Sequence, residues 1–63
     1  ERLIVDQHRG IYVCTEQEII VKTDCGLLVI SGERLSLWNY QADELTVLGR
    51  IDRLAYRPME GKR

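Results

Sequence analysis

The residues of this chain that could do chemistry are few and widely spaced. His8 is the single histidine, so a Ser–His or Cys–His nucleophile pair would have to be built on it. It lies in the polar stretch Gln7-His8-Arg9-Gly10, and no G-x-S-x-G context occurs anywhere. That setting predicts a solvated turn residue. Cys14 and Cys25 show no C-x-x-C spacing, and with one histidine they cannot close a four-ligand zinc site. Two cysteines are also too few to define a disulfide framework. They are expected as reduced thiols, Cys14 on a strand and Cys25 in a turn. The carboxylates (Asp6, Glu16, Glu18, Asp24, Glu33, Asp43, Glu44, Asp52 and Glu60) fall at turns and strand ends, where solvated charges normally sit. Each glycine stands alone at a turn or bend, so none belongs to a phosphate-cradling loop. The inventory therefore predicts no enzyme, no metal, no cofactor and no small-molecule substrate.

The aromatic residues offer a second kind of chemistry. Trp38 and Tyr40 are spaced to share one face of a strand, opposite Leu35, Leu37 and Asn39. With Arg34, Arg50, Arg53 and Arg57 close in sequence, they could form a stacking platform for a base, as oligonucleotide-binding barrels do. A binding module for nucleic acid or another polyanion is the alternative function. Against it stands a formal net charge of −1, which leaves no surplus of cations to neutralise phosphates. Trp, Tyr and Arg are equally the residue types enriched at protein interfaces, and that reading is preferred.

The elements that must position these residues read with period two. Arg2 to Asp6 is a β-rich run, and Ile11 to Cys14 resumes it after the polar stretch. Thr15-Glu16-Gln17 turns the chain into Glu18 to Thr23. Asp24-Cys25-Gly26 then closes a hairpin with Leu27-Leu28-Val29-Ile30, with Gly26 expected at positive φ. Ser31-Gly32-Glu33 is expected to separate this strand from Arg34 to Tyr40. In the last run, Leu45, Val47, Gly49 and Ile51 alternate, but Leu54 and Tyr56 are out of step by one residue. An extra residue near Asp52-Arg53, a β-bulge, restores the pattern, and Gly49 marks a bend or a close backbone approach. A strand is preferred here over a short helix at 50–56. Val29-Ile30-Ser31-Gly32-Glu33-Arg34-Leu35 also echoes Val47-Leu48-Gly49-Arg50-Ile51-Asp52-Arg53-Leu54, too weakly for a solenoid.

These features predict an all-β chain: a small antiparallel sheet curled into a sandwich-like or barrel-like roll of about six to seven short strands, with no substantial helix. Residues 1–57 form a single domain and 58–63 a polar C-terminal tail. At 63 residues the chain sits near the size where one core becomes marginal. Leu27 to Ile30 is apolar on both faces and Ile19 to Val21 nearly so, more than a small sheet can cover. Val29 and Val47 are expected in the core. Ile20, Leu28, Ile30, Trp38 and Tyr40 are the candidate interface, and the expected partner is a second copy in a homodimer.

Several runs in this order resemble a known family. They are His8-Arg9-Gly10-Ile11, Thr15-Glu16-Gln17-Glu18-Ile19, Lys22-Thr23, Gly26-Leu27-Leu28-Val29-Ile30-Ser31-Gly32 with Leu35, and Glu44-Leu45-Thr46-Val47-Leu48-Gly49-Arg50-Ile51 with Leu54 and Tyr56. Over about residues 3–57 the chain resembles the YabP/YqfC sporulation proteins of endospore-forming Firmicutes, the YqfC-like branch being the nearer match. The resemblance implies a non-enzymatic protein of the mother-cell cytoplasm that helps to build spore envelope layers. Its partners would be other sporulation proteins, and it would reach a membrane only through one of them. The family has no catalytic residues to carry over.

Overall fold

Residues 2–58 are described by a computed structural model, and they fold as five antiparallel strands without a helix. The strands are β1 (Arg2–Asp6), β2 (His8–Cys14), β3 (Glu18–Thr23), β4 (Gly26–Leu37) and β5 (Glu44–Pro58). Their order in the sheet is β1-β5-β4-β3-β2. The two edge strands, β1 and β2, are therefore consecutive in sequence, joined only by Gln7 at φ 60°. Strands at opposite edges can be joined by one residue only if the sheet curls until those edges meet at one corner. The result is a half-barrel with a concave inner face.

The expected hairpin is present, with Glu18 opposite Ser31 and Lys22 opposite Leu27. Gly26, however, does not have positive φ; the glycines that do are Gly10 and Gly49. The turn is organised instead by Thr23, whose Oγ1 accepts hydrogen bonds from the Cys25 and Gly26 N–H groups. Thr15 repeats the device before β3, accepting from the Gln17 and Glu18 N–H groups. A hydroxyl at the first turn position satisfies local donors without a left-handed residue.

The strand count differs because Ser31-Gly32-Glu33 is not a break. β4 runs straight through it and ends at Leu37, so Trp38 and Tyr40 lie beyond the strand. Fifteen residues of straight β5 would span about 50 Å, yet the longest dimension of the molecule is 36 Å. β5 must bend, and two opposed irregularities in its ladder with β4 make the bend. Between the pairs Ser31–Arg53 and Gly32–Ile51, Asp52 is extra on β5. Between Glu33–Arg50 and Ser36–Leu48, one residue is extra on β4, where Arg34 adopts φ 54°. Each bulge cancels the register shift of the other. The first is the bulge anticipated near Asp52-Arg53, and it returns Leu54 and Tyr56 to the inner face, opposite Ile30 and Leu28.

Two glycines make this corner passable. A Cβ on Gly32 would lie 1.9 Å from the Arg50 carbonyl oxygen, and one on Gly49 would lie 2.6 Å from that of Arg34. The echo between the Gly32 and Gly49 segments thus has a structural meaning: they are the two sides of one bend.

The inner face carries the core. Ile19, Val21, Ile30, Leu45 and Val47 are fully buried, joined by Val5 and Leu35, with Leu3, Ile11, Leu28, Leu37 and Ile51 packed around them. Val47 lies where the alternation placed it. Val29 does not: it is only half-buried, opposite Ile20 and Ala55 on the outer face, and Ile30 takes the core position. In an apolar run without alternation, the register alone decides which set turns inward. At the C-terminus, Pro58 still pairs with Gly26 as the last residue of β5, and the remainder of the expected tail, 59–63, lies outside the described residues.

Candidate functional site

The five candidate interface residues do not form one surface. Ile30 is fully buried within the single chain and belongs to the core, so it is not available to a partner. Leu28 lies on the inner face against that core, opposite Val21. Ile20 lies on the other face, opposite Val13 and Val29. Trp38 and Tyr40 remain exposed, at 57% and 56%, past the end of β4. The Trp38 N–H donates to the Thr46 carbonyl at 2.8 Å, and Asn39 at φ 87° then turns the chain away from the sheet.

The register instead brings together a row that alternation along single strands does not display. Val13, Ile20, Val29 and Ala55 are mutually opposite across β2, β3, β4 and β5 on the outer, convex face. The first three are half-buried and Ala55 is exposed. Cross-strand rows of this kind are the units of lateral contact in a sheet. Among the described residues of this single-layer half-barrel, no second layer packs on that row.

The arginines expected beside Trp38 and Tyr40 are spread over two strands, Arg34 on β4 and Arg50, Arg53 and Arg57 on β5. Arg50 is held by Asp52, with Nε–Oδ1 at 3.1 Å and Nη2–Oδ2 at 3.3 Å, and lies 3.5 Å from Glu33. Those partners, the Asp52 hydrogen bonds first, raise its pKa above the ordinary guanidinium value. Arg53 and Arg57 lie seven or more residues along β5 from Thr46, where Trp38 is tethered. At about 3.3 Å per residue that is more than about 20 Å of strand.

His8 corrects the expectation of a solvated turn. It is the first residue of β2 and only 4% exposed. The Gly10 N–H donates to its Nδ1 at 3.0 Å, and its Nε2 lies 2.8 Å from the Gln41 carbonyl oxygen. These partners assign the proton to Nε2, which donates to Gln41. The ring also faces Tyr40, with centroids 5.3 Å apart. His8 therefore ties the start of β2 to the 38–43 segment, reinforced by Gln7 N–H to the Asp43 carbonyl at 2.5 Å. No local pattern signals this, because Gln41 is 33 residues away. His8→Ala leaves the Gly10 N–H and the Gln41 carbonyl without their partner. It should lower stability by about 1–3 kcal/mol and shift the fluorescence of Trp38. Unfolding at the wild-type denaturant midpoint would remove His8 from this role.

Cys14 and Cys25 are both exposed and free. Among the described residues no three His, Cys, Asp or Glu side chains are grouped to hold a metal ion. Arg9 pairs with Asp24 at the surface, and that hydrogen bond raises the pKa of the guanidinium.

These observations define a class of protein: a single-layer antiparallel half-barrel with a filled concave face and an apolar row on its convex face. The chain belongs to the YabP family, whose model matches residues 1–63, its whole length. No curated protein matches it.

Proposed function

We propose that the protein is a non-enzymatic structural component of endospore formation, working through protein–protein contacts of its apolar sheet surface and associating with a second copy of itself. The sporulation setting, with the mother-cell cytoplasm as its place and the YqfC-like branch as its group, rests on the resemblance described above and on membership of the YabP family. No helix among the described residues is long and apolar enough to cross a membrane. The observation that carries the contact surface is the convex row of Val13, Ile20, Val29 and Ala55. A two-fold axis through this face would cover the same side chains on both subunits.

Sedimentation equilibrium across the micromolar range tests the reading. Wild type should run as a dimer, and Ile20→Glu, on the outer face, should give a folded monomer. In sporulating cells the same variant should give the same spores as a deletion of the gene. A wild-type monomer at every concentration would sink the dimer. Leu28→Glu is not an equivalent test, because Leu28 packs against the core.

A further inference from the structure

The outer face carries a second exposed surface, across the bend at Gly32 and Gly49 from the convex row. Thr46 on β5 lies opposite Ile4 on β1, and on its other side its carbonyl accepts from the Trp38 N–H. Thr46 alternates with the core residues Leu45 and Val47, so this row faces outward. Ile4 and Trp38 are 54% and 57% exposed. Two residues along the same face in one direction, Asp6 stands opposite Glu44; two residues in the other, Arg2 stands opposite Leu48. Along β1 the surface reads as a cation, an apolar residue and an anion.

The fold leaves these charges uncompensated. Arg2, Asp6 and Glu44 have no ion-pair partner among the described residues. Arg2 and Asp6 are four residues apart on one strand, about 13 Å. Asp6 and Glu44 are direct cross-strand neighbours of like charge. Such a pair is unfavourable, and a cation placed over it relieves the repulsion.

We infer that this surface pairs with the same surface of a second copy, about a two-fold axis running along the Ile4–Thr46–Trp38 row. Turning one sheet over about that axis reverses its strands. Ile4 and Trp38 then face their own counterparts, and Arg2 of each copy comes over Asp6 and Glu44 of the other. The order of charges along β1 selects this occupant, because like charges at both ends would repel about the same axis. The contact itself does not require the dimer proposed above, but a larger consequence rests on that reading. The two sides of the bend bury their inner faces in one core, Val5, Leu45 and Val47 from one and Ile19, Val21 and Ile30 from the other. Their outer faces therefore point apart. Two different two-fold surfaces on opposite sides of a subunit generate an open chain of dimers. Exposed ion pairs each contribute little, so the second contact forms at higher concentration than the convex one.

The test is a charge exchange in the Ile20→Glu background, where the convex face is disabled and the two contacts are read separately. By sedimentation equilibrium this protein should pass from monomer to dimer as concentration rises from micromolar to millimolar. The emission of Trp38, the single tryptophan, should shift to shorter wavelength over the same range. Added Arg2→Glu, or added Asp6→Lys with Glu44→Lys, should each hold it as a monomer. An equimolar mixture of those two proteins should dimerise as the parent does, since each restores the charge order the other lost. Recovery on mixing requires two folded chains and is not imitated by destabilisation. With Ile20 intact, the protein should grow beyond the dimer at millimolar concentration. A parent that stays monomeric, dimerisation that survives either charge change, or a mixture that stays monomeric would each overturn the inference. An intact protein that stops at the dimer while the Ile20→Glu parent still dimerises would support this contact and sink the convex one.

Discussion

Gly32→Ala should unfold this protein or bring it close to unfolding. The added Cβ would lie 1.9 Å from the Arg50 carbonyl oxygen and 2.9 Å from its carbonyl carbon, both backbone atoms that no side-chain rotation can move aside. Relief requires β4 and β5 to separate at the corner where they bend together, between the buried residues Ile30 and Leu35. Overpacking a well-packed site commonly costs about 1–3 kcal/mol, and a clash with rigid backbone belongs at or above the top of that range. A domain of this size has roughly 3–9 kcal/mol of total stability. Guanidinium unfolding followed by circular dichroism checks the expectation, with the exposed neighbour variant Glu33→Gln as control. The control should stay within about 0.5 kcal/mol of wild type. If Gly32→Ala kept the wild-type midpoint and slope, the two strands would not approach as described.

Ile30→Ala should cost about 2–5 kcal/mol, the usual range for truncating a fully buried isoleucine whose cavity only partly collapses. Ile30 has no exposed surface and sits among Ile19, Val21, Leu35 and Val47. Its neighbour Val29 is the informative comparison, because it is half-buried and faces outward. Val29→Ala should cost less than about 1 kcal/mol in a dilute monomer, since truncation there leaves no closed cavity. Urea midpoints measured side by side decide the matter. A larger loss at Val29 than at Ile30 would invert the assignment of inner and outer faces. The fall at Ile30 should not depend on protein concentration, because its contacts are within the chain.

Local pattern and tertiary structure divided the work unevenly in this protein. The strand character of nearly every segment, the pairing of 18–23 with 27–31 and the bulge near Asp52 were all legible from the sequence. Each depends on period-two alternation and turn chemistry within a few residues. The close approach at Gly49 was legible too, since a lone glycine in a strand marks such a place. The part played by Gly32 was not. The same residue signals a turn or a crossing, and only the opposing Arg50 carbonyl decides which.

Burial in Leu27-Leu28-Val29-Ile30 was likewise undetermined from within, because four apolar residues in succession carry no alternation. The partners Ile19 and Val21, fixed in the core, turned Ile30 and Leu28 inward and left Val29 and Ile20 outside. His8 became a buried tie only because the one-residue link at Gln7 brings it under a carbonyl 33 positions away. The candidate surface followed the same logic. Val13, Ile20, Val29 and Ala55 are unremarkable one at a time, and a row exists only once four strands are in register. The sequence by itself determined that this chain makes strands, that 18–23 turns back onto 27–31 and that β5 must bulge near Asp52, because those properties arise from neighbouring residues. Which face is core, which glycine is a crossing and which apolar residues stand together outside were decided by contacts between segments remote in the chain.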